Sequence, residues 1–155
     1  MTPIPIQALF ESHLTVADLD RSIDFYTTIV GLELAHRVPE RHAAFLWIAG
    51  RGNHMLGLWA IHSAPLFMRL HIAFRTTLAD VEAAPTHLRA QGITPRSSGN
   101  GPEIAEPIVF PWMPAAVVYF DDPDGHSLEY LAMLATPPGP TLPIMPLSEW
   151  RARPA

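Results

Sequence analysis

The chain contains no cysteine and no lysine, and each absence removes a class of chemistry. Without cysteine there are no disulfides, no thiolate metal sites and no cysteine nucleophiles. Without lysine there is no Schiff-base catalysis through an ε-amino group. All ten basic residues are arginine, they are scattered, and fifteen acidic residues outweigh them to a net charge of -5. No basic stripe is available for nucleic acid, and none is expected to bind. Charged residues make up only 16% of the chain, yet apolar runs such as Ala43 to Ala49 are far shorter than a membrane span, so no membrane partner is expected. The opening MTPIPIQALF has no basic region before its apolar residues and no small-residue cleavage site after them. It does not read as a signal peptide, and a cytoplasmic location is the default expectation.

What is present is a chain of 155 residues, 48% of them apolar, enough for one substantial core or two small ones sharing an interface. One domain over residues 1–155 is expected. Residues 9–16 suit a strand, and Asp18 offers a cap for a helix from Leu19 to Val30 that Gly31 closes. Leu19, Ile23, Tyr26 and Val30 recur at spacings of three and four, which makes one apolar stripe to cover a sheet. Three strands follow, near residues 32–38, 43–49 and 54–61, separated by Pro39-Glu40-Arg41 and by Gly50-Arg51-Gly52-Asn53.

The order β, α, then strands repeats. A strand near residues 68–75 leads to a helix from Leu78 to Ala90, ended by Gln91-Gly92, in which Pro85 is expected to kink or restart the helix. Further strands are expected near Ile93, near Ile108, over 115–120 and over 126–134. Asp122-Pro123-Asp124-Gly125 suits a type I turn that makes the last two a hairpin. Residues 97–107 read as a mobile loop, and the proline-rich residues 135–155 as an irregular tail anchored by Trp150. The expected modules are residues 8–62 and 67–134.

HLTVADLDRSIDFYTTIVGLEL (13–34), HIAF (71–74) and DPDGHSLEYL (122–131) stand in one order and spacing that resembles the vicinal oxygen chelate family, the glyoxalase, bleomycin-resistance and dioxygenase group. The match covers residues 8–134. The resemblance implies an α+β fold of two βαβββ modules, their curved mixed sheet around a cleft, often completed in a homodimer. It also implies a divalent metal (Zn, Ni, Mn or Fe) held by residues from the first strand of each module and the last strand of the second. The metal would polarise a small oxygenated substrate in lyase or isomerase chemistry of glyoxalase type. Two alternatives stand beside this: a metal-free drug- or metabolite-binding protein of bleomycin-resistance type, and a small ring-cleaving dioxygenase.

Carried onto this chain, the carboxylate ligand falls on Glu129, which shares a strand face with Ser127, Leu131 and Met133. The second-module histidine falls on His71, set among Leu70 and Ile72, where an imidazole needs a partner. On the first strand Glu11 and His13 are two apart and face the same way, so either serves as the ligand. Counting back from the helix cap favours Glu11. Aligning HLTV with HIAF favours His13. The one that does not bind metal is placed to move a proton, which makes His13, with Glu129, a catalytic candidate. The position that often supplies a fourth ligand is Gly57, which has no side chain. Trp59 and Trp112 are candidates for a pocket wall and His62 for its mouth. His36, His42, His54 and His87 read as surface groups, and His126 as closing the hairpin.

Overall fold

Leu14 and Val16 are the buried positions of the first strand, β1 (Glu11–Val16), and the chain leaves that strand through a capped turn. Asp18 is extended, and its Oδ1 accepts from Arg21 N at 3.0 Å, which starts helix α1 (Leu19–Thr28). The helix ends two residues short of the sequence expectation: Ile29 N and Val30 N both donate to Phe25 O. Leu32 N donates back to Tyr26 O across Gly31, whose φ of +82° suits that reversal. Strands β2 (Glu33–Val38), β3 (Ala43–Ile48) and β4 (His54–Ala60) follow. The computed structural model describes residues 7–60, 68–98 and 100–153, so His62 and the expected end of β4 at Ile61 lie outside the described residues.

The chain divides into two compact units, Met1–Met68 and Arg69–Ala155. In the first, the sheet order is β1-β4-β3-β2, with β1 parallel to β4 and the other pairs antiparallel. One face carries Leu14, Val16, Leu46, Leu56, Leu58 and Ala60, all buried, and α1 buries Ile23, Phe25 and Tyr26. The alternate residues Glu11, His13, Phe45, Gly57 and Trp59 share the opposite face.

In the second unit the order is β5-β8-β7-β6-β9, built from β5 (His71–Arg75), helix α2 (Leu78–Ala90), β6 (Ile108–Phe110), β7 (Ala115–Asp121), β8 (Ser127–Met133), β9 (Met145–Pro146) and helix α3 (Leu147–Ala152). Strand β5 runs parallel to β8, as β1 does to β4. Helix α2 starts where expected, with Thr77 Oγ1 accepting from Asp80 N, and it runs unbroken through the buried Pro85 rather than restarting there. Among the described residues the strands and helices make the α+β architecture expected, in one four-stranded and one five-stranded mixed sheet.

Two further expectations are corrected. No strand forms at Ile93; regular pairing there is limited to isolated bridges from Arg96 to Glu103 and Tyr119. The described residues of the 97–107 stretch form no regular strand, as expected of a loop, and Ser97 N donates to Pro102 O. The C-terminal segment is not irregular throughout: Met145 pairs with Val109, and Met145, Leu147 and Trp150 are buried. Prolines interrupt that segment, but three large apolar side chains gain more from burial than the prolines cost. Among the described residues, no helix is long and apolar enough to cross a membrane.

Candidate functional site

The turn at Asp122–Gly125 determines which residues meet on the second sheet. Gly125 N donates to Asp122 O, Asp122 Oδ1 accepts from the backbone N–H groups of Asp124 and His126, and Gly125 takes φ +83°. Counting outward, the hairpin pairs Asp121 with Ser127 and Tyr119 with Glu129. On the other side of β8, Ser127 pairs with His71 and Glu129 with Ala73. Tyr119, Asp121, Ser127, Glu129 and His71 therefore project from one face. His126 points to the other and is wholly buried, its Nδ1 accepting from Leu70 N at 3.1 Å. It closes the hairpin, as the sequence suggests.

His71 Nδ1 lies 2.9 Å from the carbonyl oxygen of Ser127, which only accepts, so Nδ1 carries a proton and donates it. That bond turns Nε2 towards Glu129, 3.2 Å from Oε2. In the neutral ring Nε2 presents a lone pair, and a lone pair facing a carboxylate requires a proton or a cation between them. Glu129 is only 3% exposed, and its Oε1 is buried without a hydrogen-bond partner. Burial pushes the Glu129 carboxyl above the ordinary carboxylate range, while the Tyr119 hydroxyl and then His71 pull it back. Tyr119 stacks on the His71 ring at 5.5 Å and 19°, and its own pKa is raised by burial and by Glu129. Ser127 Oγ, on the same face, is also buried and unpartnered. Each unsatisfied atom of this kind costs about 1–3 kcal/mol, so the face is built for a polar occupant.

In the first unit Glu11 and His13 sit on one face as their spacing requires, with His13 Nε2 2.5 Å from Glu11 Oε1. His13 is paired with Gly57, and its ring lies against Trp59 (5.5 Å between centroids) and Phe45 (5.9 Å). Trp59 Nε1 is buried without a partner. The register also relates the modules. If Glu11 on β1 corresponds to His71 on β5, their partners Met55 and Ser127 correspond, and so do Gly57 and Glu129 two residues on.

Trp112 stands 62% exposed in the turn between β6 and β7. His36, His42 and His87 are exposed as expected. His54 is not: it is half-buried at the start of β4, with Nδ1 buried and unpartnered. Tyr119 and Phe45 carry no sequence signal of their own; the turn register points to Tyr119 once Glu129 is chosen. Within either unit, among the described residues, no three His, Asp or Glu side chains gather. The donor set of His71 and Glu129, one imidazole nitrogen and one carboxylate with a free buried oxygen, still suits a divalent ion that takes further ligands elsewhere.

A family model described as the Glyoxalase/Bleomycin resistance protein/Dioxygenase superfamily matches residues 8–130. Among solved structures, the chain is similar to an integron cassette protein from the mobile metagenome of the Halifax Harbour sewage outfall, at 30% identity and a TM-score of 0.68 over 83% of this chain and 100% of that one. It is similar to a glyoxalase/bleomycin resistance protein/dioxygenase from Nocardioides at 25% identity, TM-score 0.64, over 91% and 93% of the two chains. It is similar to a lactoylglutathione lyase from Agrobacterium tumefaciens at 25% identity, TM-score 0.63, over 83% and 96%. Comparison with curated proteins finds no match.

Proposed function

Because this chain belongs to the glyoxalase/bleomycin resistance protein/dioxygenase superfamily, we propose that it is a divalent-metal-dependent enzyme of glyoxalase type. It acts on a small oxygenated molecule, with His71 and Glu129 among its metal ligands. One observation carries the reading: the buried, unpartnered Oε1 of Glu129 beside a His71 Nε2 whose lone pair is turned towards the same carboxylate. The similarity to a solved lactoylglutathione lyase points to lyase chemistry.

The chemistry supplied by a bound divalent ion is Lewis-acid polarisation of a substrate oxygen and stabilisation of the negative charge that builds on it. The chain does the rest. The Ser127 carbonyl fixes the tautomer and orientation of His71, and the Tyr119 hydroxyl partly offsets the burial that raises the Glu129 pKa, which favours the charged form that ligates a metal. The first-strand ligand falls to Glu11 or His13. Whichever is not a ligand keeps its partner by the 2.5 Å hydrogen bond and serves as the acid or base that moves a substrate proton. The reading includes a homodimer and a cytoplasmic setting.

A second reading is favoured by the aromatic set of Phe45, His13 and Trp59 over Gly57, which offers flat apolar surface to a planar ligand. It makes the chain a metal-free binding protein.

Metal content decides between them. Protein purified without chelator is expected to hold about one divalent ion per chain, and His71→Ala and Glu129→Gln each to lose it while remaining folded. If the folded parent stays empty after Zn, Ni, Mn and Fe(II) are added back, the enzyme reading fails and the binding reading stands.

A further inference from the structure

On the face that carries His71 and Glu129, two guanidinium groups share one carboxylate oxygen. Arg69 Nη2 is 2.7 Å and Arg96 Nη2 2.5 Å from Asp121 Oδ1. The cluster itself carries two positive charges against one negative in a chain whose overall charge is -5, and Glu129 is the other acid on that face. Arg75, paired with Leu131, adds a third arginine to the same face. Arg96 is the deepest of the pair, 12% exposed against 48% for Arg69, and its Nη1 donates to Ser98 O. Its backbone exchanges both hydrogen bonds with Tyr119, so its side chain leaves the sheet on the side of Tyr119 and Glu129.

Beside this cluster stands an atom that lacks a partner. Ser127 pairs with Asp121 across β7 and with His71 across β5, its backbone N–H donates to Leu70 O next to Arg69, and its Oγ is buried and unsatisfied. A hydroxyl donor with nothing to donate to, next to an excess of guanidinium charge, is the donor set of an oxyanion site.

We propose that Arg96, Arg69 and Ser127 form a subsite for a carboxylate or phosphate group of the substrate. Ser127 and Glu129 are two residues apart on one strand, which separates the anion from the Glu129 carboxylate by roughly 7 Å. The substrate class is thus a small organic acid or phosphate ester whose reacting oxygen lies about four to six bonds from its charged group. This distance rests on the His71–Glu129 reading; the subsite itself does not. The competing account is that Asp121 merely clamps residue 69 and the 96–98 segment to β7.

The test uses the chelator-treated full chain, titrated at low ionic strength with succinate and with inorganic phosphate. The parent is expected to bind one of them saturably, and that preference identifies a carboxylate or a phosphate site. Arg96→Gln should weaken binding about tenfold or more, and Ser127→Ala about threefold. Asp121→Asn keeps an acceptor for both arginines but removes the competing charge, so binding should tighten. If Arg96→Gln does not fold, Arg69→Gln carries the same expectation. No saturable binding by the parent, equal binding by the arginine variants, or loss of binding in Asp121→Asn overturns the proposal, the last in favour of the clamp. Metal uptake by the same proteins reads the other site separately. Anion binding without metal uptake sinks the His71–Glu129 reading and leaves the subsite standing, and metal uptake without anion binding does the reverse.

Discussion

The imidazole of His13 occupies the space that any side chain on Gly57 would need: a Cβ built on Gly57 falls 2.5 Å from His13 Cδ2 and 3.0 Å from Nε2. The two residues are direct partners on parallel strands, so the missing side chain at 57 and the large ring at 13 are two halves of one packing solution. Adding atoms at Gly57 has to displace that ring.

Gly57→Ala is therefore expected to destabilise the protein by about 1 kcal/mol, the low end of the cost of overpacking, because the ring that must yield is half-exposed. In a His13→Ala background the same change should be neutral or stabilising, since a strand glycine otherwise favours the unfolded chain. Denaturant unfolding of the four proteins in a double-mutant cycle measures the coupling. Equal effects of Gly57→Ala in both backgrounds would show that His13 does not fill that space.

Tyr119→Phe removes one of the two groups that pull the Glu129 carboxyl down against its burial, so its pKa should rise further. A carboxylate must shed its proton to hold a metal, and the pH midpoint of metal uptake is expected to move upward. In the metal-free protein the same raised pKa acts on stability with the opposite sense. It stabilises the fold below the ordinary carboxylate value, and that contribution is lost as pH rises through the folded value. Superimposable uptake curves for parent and variant would remove Tyr119 from the site.

Trp150→Ala is expected to cost about 3 kcal/mol, because Trp150, 7% exposed, holds the C-terminal helix α3 in place behind the short strand β9 that pairs with β6. Thermal and denaturant unfolding measure it. A change under about half a kcal/mol would mean that this segment is not part of the second unit's core.

Much of this fold is legible in the chain because local signals agree. Asp18 and Thr77 cap their helices, Gly31 ends the first, and Asp122–Gly125 sets a hairpin, so the alternation of β8 brings Glu129 to the face of its neighbour His71. Where local and tertiary terms disagree, the sequence misleads. Pro85 sacrifices one helical hydrogen bond and is retained because it is buried with Ala84 and Leu88. Met145 and Leu147 stand among prolines, and only their burial shows why order wins. Arg96 follows a proline in a segment without periodicity, so nothing in the chain announces that its guanidinium meets Asp121, twenty-five residues away. The choice between Glu11 and His13 stays open because both share one face and one hydrogen bond.

The Asp122–Gly125 turn makes the site more sensitive to chain length than to residue identity. Side chains on β8 alternate between the face of His71 and the face of His126, and the turn alone sets the phase of that alternation against β7. One residue gained or lost there, unless taken up as a bulge, would carry Glu129 and Ser127 to the far face together and bring Leu128 and Tyr130 in their place. A lineage bearing this turn can vary its loop residues gradually, but a single-codon insertion or deletion would remove the proposed metal ligand and the proposed anion donor in one step.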